Sequence, residues 1–168
     1  MKQVLILGAG AVARPAVGYL LEKKGVAVVV ADQDPGKADA LVAGHPGGRA
    51  VALDAEDAPM LERTITGADI VVSLLPWTLH PVIAELCLAH GKHLVTASYV
   101  KEEMQAMDRE ARDKGLIFLN EVGVDPGLDH MSAMQIIDDV RAAGGKIDSF
   151  FSYCGGLPAL DSNNNPLG

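Results

Sequence analysis

Val4-Leu5-Ile6-Leu7-Gly8-Ala9-Gly10-Ala11-Val12-Ala13 decides how the rest of the chain is read. Four apolar residues run into Gly-x-Gly-x-x-Ala, and an apolar helical pattern continues from Val12 to Leu21. The pattern predicts a buried strand, a tight turn and a helix. Gly8 permits the turn, Gly10 lets the backbone approach a pyrophosphate with no Cβ in the way, and the small Ala13 lets helix and strand pack closely. The anion is expected at the helix N-terminus, where N–H groups without intrahelical partners and the positive end of the helix dipole meet it. Gly8, Gly10, Ala11, Val12 and Ala13 therefore form a first candidate cofactor-binding set.

Outward from this stretch, apolar runs alternate with helical patterns. Lys23-Lys24-Gly25 closes the first helix, with cations at the negative dipole end and a glycine free to take a left-handed cap. The same punctuation returns at His90-Gly91, at Lys114-Gly115 and after Ala143. Strands are predicted at 26–31, 50–53, 70–75, 94–97 and 116–119, with 26–31, 94–97 and 116–119 reading as buried on both faces. Helices are predicted at 36–43, 58–65, 79–90, 101–114 and 128–143. This β-α alternation is that of an α/β doubly wound parallel sheet, the Rossmann architecture, and right-handed crossovers give strand order 3-2-1-4-5-6. Residues 146–153 alternate polar and apolar like a half-solvated antiparallel strand, followed by loop-forming stretches through Asn165-Pro166. The expected division is a cofactor-binding domain over 1–143, with 144–168 beginning a second domain.

A chain of 168 residues, 49% hydrophobic and 21% charged, can bury one ordinary core. The net charge of −8 offers no basic footprint for nucleic acid. No apolar run reaches the roughly 18 residues of a membrane span, and Lys2 leads directly into the first strand, so a cytoplasmic protein without a membrane partner is expected. Cys87 and Cys154 are far apart and outside any Cys-x-x-Cys motif, so neither a disulfide framework nor a metal site is expected. Gly-x-Ser-x-Gly, a P-loop lysine and His-Glu-x-x-His are all missing, which leaves hydrolase and kinase readings unsupported.

Asp32 ends the second strand about 20 residues after the glycines, where an acidic side chain accepts the adenosine ribose hydroxyls. A carboxylate there repels a 2′-phosphate, and its neighbours Gln33 and Asp34 bring no compensating cation, so NAD rather than NADP is expected. The alternative is that Asp32 starts the turn at Asp34-Pro35-Gly36. Leu75 and Pro76 close the fourth strand at the ligand-binding edge of the sheet and are expected to flank the cofactor, though a strand end stopped by Pro76 explains the same residues; Asp54 and Gly127 join the same set. His80, ahead of Pro81, reads as a capping or packing histidine rather than a ligand. Ser98-Tyr99 ends the fifth strand at the same edge; a Tyr hydroxyl there can bind a carboxylate or relay a proton, or the ring can be an amphipathic side chain at a domain boundary. The sixth strand runs into Asn120-Glu121-Val122-Gly123-Val124-Asp125-Pro126-Gly127-Leu128-Asp129-His130. This loop reads either as a turn at Asp125-Pro126-Gly127 with Asp129 in the first turn of the next helix, or as a group of ionisable residues where the nicotinamide end should rest. Cys154 precedes the glycine pair Gly155-Gly156; a thiol there is inert unless its surroundings lower its pKa.

With Ser73-Leu74-Leu75-Pro76, Thr96-Ala97-Ser98-Tyr99, Asp125-Pro126-Gly127-Leu128-Asp129-His130 and Ser152-Tyr153-Cys154-Gly155-Gly156-Leu157-Pro158 in view, the chain resembles saccharopine dehydrogenase of the glutamate-forming type over its whole length. The resemblance implies an oxidoreductase of lysine metabolism acting on a small amino-acid substrate. Hydride leaves the secondary amine of saccharopine for the nicotinamide, and water splits the imine into glutamate and 2-aminoadipate 6-semialdehyde; biosynthesis runs this backward. It implies Ser98, Tyr99 and Asp125 as substrate contacts, Tyr99 and Asp125 as candidate proton carriers, and Cys154 at the margin of the active site. It also implies a substrate and dimerisation domain past Gly168, hence a homodimer, without which turnover is not expected. Two other readings compete: an NAD-binding regulatory module without chemistry, and a related dehydrogenase acting on a carboxylated polyamine.

Overall fold

Strand β1 (Lys2–Leu7) is the axis of the sheet. It pairs in parallel with β2 (Val26–Asp32) through Val4↔Val28 and with β4 (Ile70–Ser73) through Val4↔Ile70. With β3 (Gly48–Ala52), β5 (His93–Thr96) and β6 (Phe118–Leu119), the order is β3-β2-β1-β4-β5-β6, and every pair is parallel. This is the expected doubly wound topology. The computed structural model describes residues 1–155. The chain divides into two compact units, Met1–Leu128 and Asp129–Gly168.

Period-2 alternation in the strands builds a core on each face of the sheet. Val4, Ile6, Val28 and Val30 point to one face, where Val17 of α1 (Ala13–Leu21) and Val42 of α2 (Pro35–Val42) cover them. Leu5, Leu7, Val29 and Val71 point to the other, where Leu61 of α3 (Ala58–Thr66) and Ile83 of α4 (His80–His90) complete the packing. Leu5 and Ile6 are both fully buried; truncating either to Ala would cost about 2–5 kcal/mol. Side chains start two of the helices: Asp34 Oδ1 accepts from the Gly36 amide at 3.0 Å, and Asp57 Oδ1 from the Met60 amide at 3.1 Å. Among the described residues no helix is long and apolar enough to cross a membrane.

Four elements differ from expectation. The fourth strand ends at Ser73 rather than residue 75, because its partners also stop there: Ser73 lies opposite Leu7 on one side and Thr96 on the other. The helical pattern over 101–114 breaks at Met107, whose amide makes a tighter bond to Met104 O, dividing it into α5 (Glu102–Ala106) and α6 (Asp108–Asp113). Strand β6 is two residues long and sits at the sheet edge, which leaves Leu119 exposed rather than buried on both faces. Residues 146–153 form no strand. A period-2 pattern makes a strand only where a second chain segment completes the ladder, and no described residue pairs with this stretch. In the second unit α7 (Leu128–Ala142) has no buried residue and is followed by Gly144 at φ 77°.

Candidate functional site

The turn after β1 has the conformation that its glycines allow. Gly8 adopts φ 101°, and a Cβ added there would press on the Leu74 carbonyl at 3.3 Å. Gly10 is different, because a Cβ there would meet nothing within 4 Å; it faces the open approach that a pyrophosphate needs. Ala13 is completely buried, as the close packing of α1 on the sheet requires. Val12, the residue at the start of α1, makes no side-chain cap, and Ala11 and Val12 are exposed. The first amides of α1 thus have no side-chain acceptor from the residue where one would normally stand.

Asp32 fastens this turn from below. Its Oδ2 accepts from the Ala9 amide at 2.7 Å and its Oδ1 from the Asp34 amide at 2.9 Å, so each carboxylate oxygen has a backbone donor. Beside it a cavity of about 220 Å³ opens between the ends of β1, β2 and β4, and it brings together Asp32, Asp54, Leu75 and Pro76. This is the point where the strand order reverses, the crevice in which doubly wound sheets hold their ligands. Asp54 also serves its own loop, its Oδ1 accepting from the Glu56 amide at 3.0 Å.

A second cavity, of about 370 Å³, lies at the ends of β4 and β5 and gathers Ser98, Tyr99 and Asp125 with Trp77 and Lys101. The Tyr99 hydroxyl donates to Asp125 Oδ1 at 2.5 Å. The loop carrying Asp125 is stitched to the end of β5: Glu121 N donates to Ser98 O at 3.1 Å, Val122 N to Thr96 O at 3.1 Å, and Val100 N to Glu121 Oε1 at 3.0 Å. Those bonds hold Glu121 in a left-handed conformation, φ 61°. The Asp125–Pro126 peptide is cis. Gly127 is not at the first cavity; its backbone packs so tightly on Gly123 that any Cβ would collide, while Gly123 N donates to Pro126 O at 2.9 Å. Cys154 belongs to the second unit and is exposed.

Sequence reasoning missed the part played by His80. Its Nδ1 lies 3.1 Å from Ser73 Oγ and its Nε2 2.9 Å from Ser98 Oγ, and burial pushes its pKa below the usual histidine value. It is a packed histidine, as expected, yet it ends on a candidate substrate contact. The only available signal was that Ser73, His80 and Ser98 all fall at C-terminal strand ends or just after them. Trp77 and Lys101 were missed as well; the Lys101 ammonium stands 5.2 Å from the Trp77 ring centre.

Residues 4–119 match the family model described as the saccharopine dehydrogenase NADP binding domain, and residues 123–168 match that described as the saccharopine dehydrogenase C-terminal domain. The chain is 45% identical over 168 residues to the NADP(+), L-glutamate-forming saccharopine dehydrogenase of Schizosaccharomyces pombe, covering all of this chain and 37% of that protein. It is 42% identical over 184 residues to the alpha-aminoadipic semialdehyde synthase of Arabidopsis thaliana, covering 98% of this chain and 17% of that protein. The apo structure of the L-Glu-forming saccharopine dehydrogenase of Saccharomyces cerevisiae superimposes with a TM-score of 0.83 at 39% identity, over 99% of this chain and 37% of that one.

These matches overturn the expectation of NAD: the matched domain and the fungal relatives are NADP-binding. The physical reason for the misreading lies in Asp32. Spacing to the glycines marks where this carboxylate stands but not what its charge faces. Its oxygens receive the Ala9 and Asp34 amides, whose N–H dipoles oppose the negative charge, so the presence of Asp32 does not by itself exclude a 2′-phosphate.

Proposed function

Because the chain belongs to the saccharopine dehydrogenase family, we propose that it supplies the NADP-binding part, and one wall of the substrate site, of an enzyme interconverting saccharopine with glutamate and 2-aminoadipate 6-semialdehyde. The chain spans 37% of the length of its fungal relatives, and turnover is proposed to need the remainder. When bound, the cofactor accepts hydride from the carbon of the secondary amine. Gly8, Gly10 and the first turn of α1 receive its pyrophosphate, and the crevice behind Leu75-Pro76 takes its adenosine end. The space beside Gly10 and the missing side-chain cap at Val12 support this fit.

The observation that carries the reading is the gathering of Ser98, Tyr99 and Asp125 in one cavity at the same sheet edge as the glycine turn. Tyr99 and Asp125 share a short hydrogen bond, so a proton can pass between phenol and carboxylate and onward to a substrate nitrogen or a water within reach. Ser98 offers a hydroxyl to the substrate beside them. Cys154 is a third candidate, resting on the resemblance of the stretch that contains it. The test is saccharopine-dependent reduction of NADP+ by the full-length protein, run beside a carboxylated polyamine. Turnover of saccharopine with NADP+ is expected; a protein that binds NADPH but turns over neither substrate would overturn the reading in favour of a regulatory module.

A further inference from the structure

Ser73, His80 and Ser98 form a continuous hydrogen-bonded chain that starts in the core and ends at the cavity of Tyr99 and Asp125. Ser73 is 1% exposed and His80 4%. Both ring nitrogens of His80 face serine hydroxyls rather than a carboxylate, and a buried imidazole so paired is neutral, one ring nitrogen carrying a proton and the other accepting. The two tautomers are not equivalent here. If Nδ1 donated to Ser73, the Ser73 hydroxyl proton would need an acceptor of its own, and this hydroxyl makes no other hydrogen bond among the described residues. A buried donor without a partner costs its full desolvation. With Ser73 donating to Nδ1 instead, every group inside the core is satisfied, and Nε2–H donates to Ser98 Oγ. Ser98 then accepts from the histidine and keeps its own O–H for the cavity.

The geometry points to His80 as a positioning residue: held as the Nε2–H tautomer by Ser73, it makes Ser98 a hydrogen-bond donor aimed at a carboxylate of the amino-acid substrate. A carboxylate is an acceptor only, so it needs a donor of this polarity, and the Lys101 ammonium in the same cavity supplies opposite charge. The Asp125 carboxylate across the cavity already takes the Tyr99 hydroxyl. The carboxylate identity rests on the function proposed above, whereas the tautomer stands on the chain of contacts alone.

Two measurements test this. In the long-range proton-nitrogen NMR spectrum of the full chain, the His80 ring should show a protonated Nε2 and a bare Nδ1 at neutral pH; a protonated Nδ1, or an imidazolium, overturns the proposal. In the full-length enzyme, His80→Gln puts an amide N–H near the place of Nε2, whereas His80→Asn reaches only that of Nδ1. His80→Asn should raise KM for saccharopine about tenfold more than His80→Gln does, the worth of one hydrogen bond to a charged group, with NADPH affinity equal in the two variants. Equal KM values in two folded variants overturn the proposal. If the wild-type enzyme does not turn over saccharopine, the functional reading fails and the NMR spectrum still decides the tautomer.

Discussion

The carboxylate of Asp32 joins two turns at once, receiving the Ala9 amide at 2.7 Å and the Asp34 amide at 2.9 Å. It links the end of β2 to the loop on which the pyrophosphate would rest. Replacing it with Ala should cost about 1–3 kcal/mol of stability, the usual worth of amides left without a charged acceptor. NADPH binding should weaken about tenfold because the loop loses its anchor. NADPH should still bind more tightly than NADH in Asp32→Ala. Thermal unfolding and fluorescence titration with both nucleotides check this; NADH affinity falling much further than NADPH affinity would mark Asp32 as a reader of the ribose hydroxyls.

The two glycines of the turn should separate stability from binding. Gly8→Ala strains a backbone at φ 101° and crowds Leu74, a loss of about 1–3 kcal/mol visible in the melting temperature. Gly10→Ala meets no protein atom. That variant should melt close to the parent while losing most NADPH affinity, since its methyl fills the space of approach.

Tyr99 and Asp125 should behave as one unit. Tyr99→Phe and Asp125→Asn are each expected to lower kcat about 10²- to 10⁴-fold, the usual contribution of a positioned proton carrier. The double variant should be little worse than either single one, because both remove the same bond. Steady-state kinetics of the three variants distinguish this from two independent contacts, whose losses would multiply.

His80 gives stability a pH dependence of known sign. Its folded pKa lies below the ordinary value near 6.5, so below that value the unfolded chain binds the proton more readily. Stability attributable to His80 is therefore full above about pH 6.5 and falls as pH drops toward the lowered folded value. Denaturant unfolding across pH 5 to 8 should show this loss, and the His80→Gln variant should show a smaller one.

The two thiols should react in sequence. Cys87 is fully buried, and burial pushes its pKa up to about 12, so almost no thiolate forms at neutral pH. Cys154 is exposed. Brief iodoacetamide treatment followed by mass mapping should label Cys154 and spare Cys87 until denaturant is added.

Strand order and both core faces are legible in the sequence because buried parallel strands are written as β-branched runs and their crossovers have a fixed hand. Spacing also marks Asp32 as important, but it cannot say which donors its oxygens face, and those donors give it a part in holding the glycine turn that spacing does not reveal. The candidate site is legible in part for a related reason. Ser98, Tyr99 and Asp125 stand out at strand ends, whereas the contribution of His80 exists only after β4 and β5 bring Ser73 and Ser98 to opposite sides of its ring. Residues 146–153 show the reverse error, since a strand pattern carries no record of whether a partner is at hand.

The central place of β1 also sets the order in which the molecule can be completed. Both neighbours of β1 are made after it: residues 26–31 soon, and residues 70–73 much later. As the chain leaves the ribosome, β1 can satisfy one edge early, but its other edge waits until β4 has emerged. During that interval Val4 to Leu7 present unpaired amides and carbonyls flanked by apolar side chains, the condition under which a strand recruits the wrong neighbour. The strand at the centre of the sheet thus waits for a partner on one side, and the growing chain depends on keeping that slot empty until its own fourth strand arrives.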